Sequence, residues 1–266
     1  MPEPVGPMEP LRFPTDSPIV DILGESAILV GGGRALLMQA AHPMVAQGVY
    51  DHSNFAADPI KRLLGTLEAS YSVVFGSVAL GDAVGRQIGG IHRRVTGPGY
   101  AANDPGLLLW VHATLYDTAR TLYEWLVHSL DDAEREALYL SMREVAVVFG
   151  CPLDSQPPTA AAFDKWFTDT IDNLEPSAVS KEIADSVLHL ALPWYLRPLL
   201  PVGRFVSVGL LPPAIRDRYG YAWSQRSERR LQHLGRVLRT VYRFTPSVVR
   251  RAPAKVLTKR AARRFR

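Results

Sequence analysis

The sequence predicts an all-α fold in a single domain, and three observations carry that expectation. Apolar residues recur at helical spacing through most of the 266 residues, and no stretch makes a convincing strand. Acid-proline pairs stand at Asp58-Pro59 and Asp104-Pro105. Each is a helix start, because the carboxylate caps free amides and proline suits the first turn. Turn chemistry separates the segments, above all Gly97-Pro98-Gly99-Tyr100. With 47% apolar and 21% charged residues, the chain is ordinary globular protein, long enough to bury a full core.

Residues 1–18 form a Pro-rich leader, extended and ordered in part by Leu11 and Phe13. It holds acidic residues and no apolar stretch, so it does not read as a secretory signal. Ile19 to Val30 is a short apolar helix broken by Gly31-Gly32-Gly33. Helix resumes from Arg34 to Tyr50 with small apolar residues on most faces, which suggests a central position, and Pro43 should kink it at His42. The Gly-Gly-Gly-Arg run lacks the spacing of a phosphate cradle, so a helix break is the better reading.

Helices are expected from Asp58 to Phe75 and from Gly81 to Val95. The longest follows Asp104 and runs to Leu130, with Leu108, His112, Leu115, Ala119, Leu122 and Leu126 on one apolar stripe. Asp131 opens another, to Gly150; 151–158 is a loop, and 159–173 and 176–191 are two shorter helices. Residues 193–211 are apolar, aromatic and punctuated by prolines, and suggest a buried or membrane-facing cap in place of a regular helix. Short helices from Pro212 to Tyr219 and a long one from Ser224 to Phe244 complete the body, which spans 19–248.

A basic tail, 249–266, should follow. From Arg250 onward it holds eight Lys/Arg and no acid, and without them the net charge of +4 becomes slightly negative. The tail shows no nucleic-acid recognition motif, and the acidic body argues against such a partner. It suits an anionic membrane surface instead, with Val256, Leu257, Ala261 and Phe265 as a thin apolar side. No run of 18 apolar residues spans a membrane, so the expected location is cytoplasmic, peripheral on the inner membrane face.

The single cysteine, Cys151, excludes a disulfide framework, an iron–sulfur cluster held by this chain alone and covalent haem attachment. There is no Glu-x-x-His pair for a di-iron bundle; Glu124 and His128 are four apart. Zinc-protease and nucleophile-elbow motifs are missing too. Two features remain. Arg62 and Thr66, four apart, project from one helix face. His92 follows Gly89-Gly90-Ile91, an imidazole beside residues without side-chain bulk, against which a flat ligand could lie. His112 and His42 are further candidates, although a histidine in an apolar stripe is more often a hydrogen-bonded core residue. Haem is the usual cofactor that asks the protein for one imidazole.

The run HPMVAQGVYDHSNF, the DP-x-x-R-x-x-x-T pattern at 58–66, IHRRVTGPGYAANDPGLLLWVHATL and LLPPAIRDRYGYAWS together resemble the MpaB/rubber-oxygenase family over about residues 20–245. The resemblance implies an all-α bundle enclosing a pocket for noncovalent haem b. It implies oxidative cleavage of isoprenoid double bonds by dioxygen, in a hydrophobic or lipid substrate. It makes His92 the proximal iron ligand and Arg62 and Thr66 a polar pair near the haem, with Arg93 and Arg94 available to its propionates. One departure stands out: latex-clearing proteins have a lysine three residues after the arginine, and this chain has Gly65. A non-catalytic haem-binding or sensing protein is the competing reading, followed by a cofactor-free helical scaffold on a membrane surface.

Overall fold

A computed structural model describes residues 9–52, 59–190, 194–195 and 197–264, leaving aside the side chains of 59–63. Its architecture is all-α in one domain, with one two-stranded sheet.

Helix α1 (Pro18–Gly24) stops at Glu25, whose extended backbone (ψ 127°) separates it from a 3₁₀ turn, Ser26–Gly31. That turn runs directly into α2 (Gly32–Ala41). The three glycines therefore do not break the helix. They let elements approach: a Cβ on Gly31 would stand 2.6 Å from Thr118 Cγ2, and one on Gly33 would stand 2.3 Å from Ser207 Oγ. Helix α2 is buried along nearly its whole length and occupies the centre, as its composition suggests. Instead of kinking one long helix, Pro43 divides two. His42 takes an extended conformation (ψ 118°), as a residue before proline prefers, and α3 (Pro43–His52) starts anew.

Helix α4 (Pro59–Phe75) packs against α5 (Val78–His92), which Ser77 caps by accepting a hydrogen bond from the Leu80 amide. The turn at 97–100 is the tip of a small antiparallel pair, β1 (Thr96–Gly97) and β2 (Tyr100–Ala101), which the sequence did not signal. Gly99 sits at φ +82°, open to glycine at no steric cost. Tyr100 Oη donates to Asp51 at 2.7 Å, which ties the pair to α3.

Helix α6 (Pro105–Leu126) is capped by Asp104 and supplies the core residues Trp110, Tyr116 and Leu122. Asp131 and Glu134 form a reciprocal capping box at the start of α7 (Asp132–Val148). Thr159 caps α8 (Ala160–Asn173), whose Phe163 and Phe167 stack in the core, and Ser177 caps α9 (Ala178–Leu188). The segment expected to be irregular holds a regular helix, α10 (Leu200–Gly209), behind exposed Trp194 and Tyr195. Helices α11 (Pro213–Arg218) and α12 (Gln225–Phe244) follow as expected.

The segment read as a basic tail is a helix, α13 (Ser247–Arg264), laid along α4. Ala254 and Leu257 bury against Tyr71, and Ala261 is also buried. Its cations find buried acids. Arg260 and Arg264 stand 3.2 and 2.9 Å from Glu68, and Arg250 stands 3.4 Å from Glu25. Arg251 reaches Asp21 at 2.9 Å. Leu257 and Ala261 thus face the body rather than a bilayer, Val256 is exposed, and Phe265 lies outside the described residues.

Candidate functional site

Helices α1, α2, α4, α6 and α7 and the 3₁₀ turn enclose a cleft of about 770 Å³ between atoms, its open mouth included. Leu23, Ile28, Leu36, Leu67, Val74 and Leu115 make its wall chiefly apolar. A few polar groups interrupt it: Gln39 from α2, Thr66 and Ser70 from α4, and His112 and Thr118 from α6. Thr66 and Ser70 are one turn apart, and so are Ser70 and Val74, so one face of α4 serves the cleft.

The wall formed by α2 and α6 is braced by buried charge. Arg34 is buried and donates to Thr118 Oγ1 at 2.6 Å and to the Leu210 carbonyl at 2.7 Å. It also pairs with Asp117, which Arg120 meets from the other side at 3.1 Å. Buried pairs of this kind contribute little net stability, but breaking one costs ~3–5 kcal/mol because a charge is left alone. The pair fixes the relation of α2 to α6, and with it the polar edge of the cleft.

His112 is the buried imidazole of the cleft. Its ring stacks on Phe149 with centroids 5.6 Å apart, and its Nδ1 has no hydrogen-bond partner. Burial, with a smaller contribution from nearby His92, pushes its pKa down to about 4, so it is a neutral ring near neutral pH. His92 ends α5, half-buried, close enough for His112 to feel its charge but outside the cleft lining. The two glycines before it do leave a gap: a Cβ on Gly89 or Gly90 would meet only the Arg93 guanidinium, at 3.9 and 3.7 Å. Arg93 and Arg94 are exposed.

The other sequence candidates fall differently. His42 sits at the junction of α2 and α3, tilted against Trp110 at 6.2 Å and away from the cleft lining. Burial lowers its pKa, and Asp104 opposes that shift. Arg62 stands one turn before Thr66 on α4, but its side chain lies outside the described residues. Gly65, the position of the absent lysine, does not line the cleft; the nearest group to a Cβ there would be Arg264 of α13, 3.9 Å away. The structure therefore gathers Thr66 and His112 at one cleft and sets His92 beside His112. It also adds Gln39, Ser70 and Thr118, which sequence reasoning missed. Ser70 could have been found from its one-turn spacing to Thr66.

Among the described residues no group of three or more His, Cys, Asp or Glu could hold a metal ion. A haem needs less from the side chains: one imidazole and an apolar wall. His92, beside a glycine gap and next to His112 but outside the cleft lining, supplies an imidazole, and the cleft supplies an apolar wall that carries the orphaned Nδ1 of His112. The residues fit the group.

Two uncharacterized proteins, one of Mycobacterium bovis and one of Mycobacterium tuberculosis, are each 32% identical to the chain over 229 residues. The aligned region covers 79% of this chain and 87% of each relative. No solved structure matches the chain. Residues 21–240 match the family described as ER-bound oxygenase mpaB/B'/Rubber oxygenase, catalytic domain. That span takes in every residue that lines the cleft and stops short of α13, and on it the chain belongs to the mpaB/rubber-oxygenase catalytic-domain family.

Proposed function

We propose that the protein is a haem b-dependent oxygenase that uses dioxygen on a hydrophobic substrate of isoprenoid or lipid type. The observation that carries this reading is the apolar-walled cleft inside the matched oxygenase domain, with Thr66 and a neutral His112 on its wall. Bound haem would supply the redox chemistry for oxidative cleavage of a carbon–carbon double bond. His92 would hold it, with Arg93 and Arg94 pairing its propionates.

The chain's own residues do the rest. The apolar wall binds a hydrocarbon chain and excludes water, which strengthens every polar contact inside. Uncharged His112 adds bulk to that wall without bringing a cation into it. Thr66 and Arg62, one turn apart, supply donors where negative charge grows on oxygen as the double bond is attacked. Removing one such donor typically costs ~3 kcal/mol of barrier, a factor of ~100 in rate.

Aerobic turnover of a polyprenyl or unsaturated fatty substrate by haem-loaded protein tests the proposal. Arg62→Ala should retain the haem spectrum and lose about two orders of magnitude in kcat. A wild type that stays haem-loaded and yields no oxygenated product, or an Arg62→Ala variant as fast as wild type, contradicts it.

A further inference from the structure

The last 38 residues contain thirteen Lys/Arg and no acid, and the fold does not neutralise them all. Arg250, Arg251, Arg260 and Arg264 are held by Glu25, Asp21 and Glu68, and Arg239 donates to the carbonyls of Glu124 and Trp125. Arg236 and Arg243 of α12 are exposed and make no ion pair among the described residues.

Helix α12 has two apolar faces toward its C-terminal end. Leu231, Gly235, Leu238 and Tyr242 turn inward; Gly235 lies against Trp125, and Tyr242 Oη donates to Glu25 at 2.7 Å. A second face, about 120° round the helix, carries Val237, Val241 and Phe244 at spacings of four and three, which is one helical stripe. Among the described residues little covers it: Val237 is 46%, Val241 61% and Phe244 80% exposed. Across the short turn into α13, Val248 extends it at 75% exposure, with Val249 beside it. Arg236 and Arg243 flank the stripe, and Arg226 and Arg230 continue its line toward the start of α12.

An apolar ridge edged by unpaired arginines, on a segment that carries no acid after Glu228, complements an interface that is anionic outside and hydrocarbon within. We propose that the corner between α12 and α13 docks the protein on anionic phospholipid membranes, with Phe244, Val241 and Val248 inserting and Arg236 and Arg243 meeting headgroup phosphates. The docking elements differ from those expected of a basic tail: the tail's paired cations hold α13 to the body, and α12 presents the contact. None of the ridge residues lines the cleft, so this proposal is independent of the oxygenase reading.

Co-sedimentation of the full chain with phosphatidylcholine vesicles, with and without phosphatidylglycerol, tests it. The wild type should partition to phosphatidylglycerol vesicles, leave pure phosphatidylcholine in solution, and weaken with added salt. Val241→Ser with Phe244→Ser, and separately Arg236→Glu with Arg243→Glu, should each lower partition at least tenfold. Lys181→Glu on α9 should leave it unchanged. The two pairs check each other, since one keeps the charge and the other keeps the apolar ridge. Wild-type protein that stays in the supernatant, or double variants that sediment like wild type, overturns the proposal. So does a Phe244→Ser variant that dissociates a dimer in sedimentation velocity without altering vesicle binding, which would assign the ridge to a second copy. Equal loss of vesicle binding to duplex DNA competitor in wild type and ridge variants would assign the arginines to nucleic acid.

Discussion

His112 shows at the scale of one residue how the cleft treats a titratable group. A free imidazole titrates near ~6.5, whereas burial and nearby His92 hold this one at about 4. Between those values the unfolded chain binds a proton that the native chain refuses. Its neutral form costs nothing above ~6.5, and native stability declines as pH falls from there toward 4, by up to roughly 3 kcal/mol. His42 shifts in the same direction. Urea midpoints measured from pH 7.5 down to pH 5 should therefore fall in wild type and fall less in His112→Leu. Equal slopes would mean that His112 is charged or solvated in the native state. The residue was visible in the sequence as the one polar member of the α6 stripe. Its orphaned Nδ1 and its stack on Phe149 were not, because both depend on where α7 ends.

Glycine separates two kinds of site at the scale of an element. Gly31 and Gly33 mark close approach of the N-terminal elements to α6 and α10, and Gly89 and Gly90 mark open space on α5. Gly31→Ala should overpack against Thr118 and Leu122 and destabilise the fold by about 1–3 kcal/mol. Gly89→Ala, in a helix with only the Arg93 guanidinium nearby, should raise stability by ~0.5–1 kcal/mol and weaken hemin binding. Thermal melts with hemin titration check both, and a Gly89→Ala variant that binds hemin as wild type does would remove the gap from the site. Caps and patterning made most helices legible, from Asp104 and Asp131 to Ser224. The Gly31–Gly33 run misled because the sequence shows a glycine but not what stands 3 Å away. The strand pair at 96–101 was too short to leave a period.

The whole molecule is a helical body, matched to its family over residues 21–240, with a C-terminal helix outside that match clamped onto α4. Proline at 253 and eight cations concealed α13 in the sequence, because proline inside a helix and unbroken positive charge both argue against one. The buried acids that hold it, Glu25 and Glu68, come from segments about two hundred residues earlier, beyond the reach of local pattern. The cleft was legible only as scattered polar positions: Thr66 and His112 stand out in sequence, whereas Gln39 and Thr118 join them through the packing of α2 on α6. The proposed function rests on one claim, that the body holds a haem through His92. Titrating purified protein with hemin and recording the Soret band tests it most directly. The account predicts a band that saturates at one equivalent and is lost in His92→Ala. Protein that ignores hemin, or a His92→Ala spectrum identical to wild type, would contradict it.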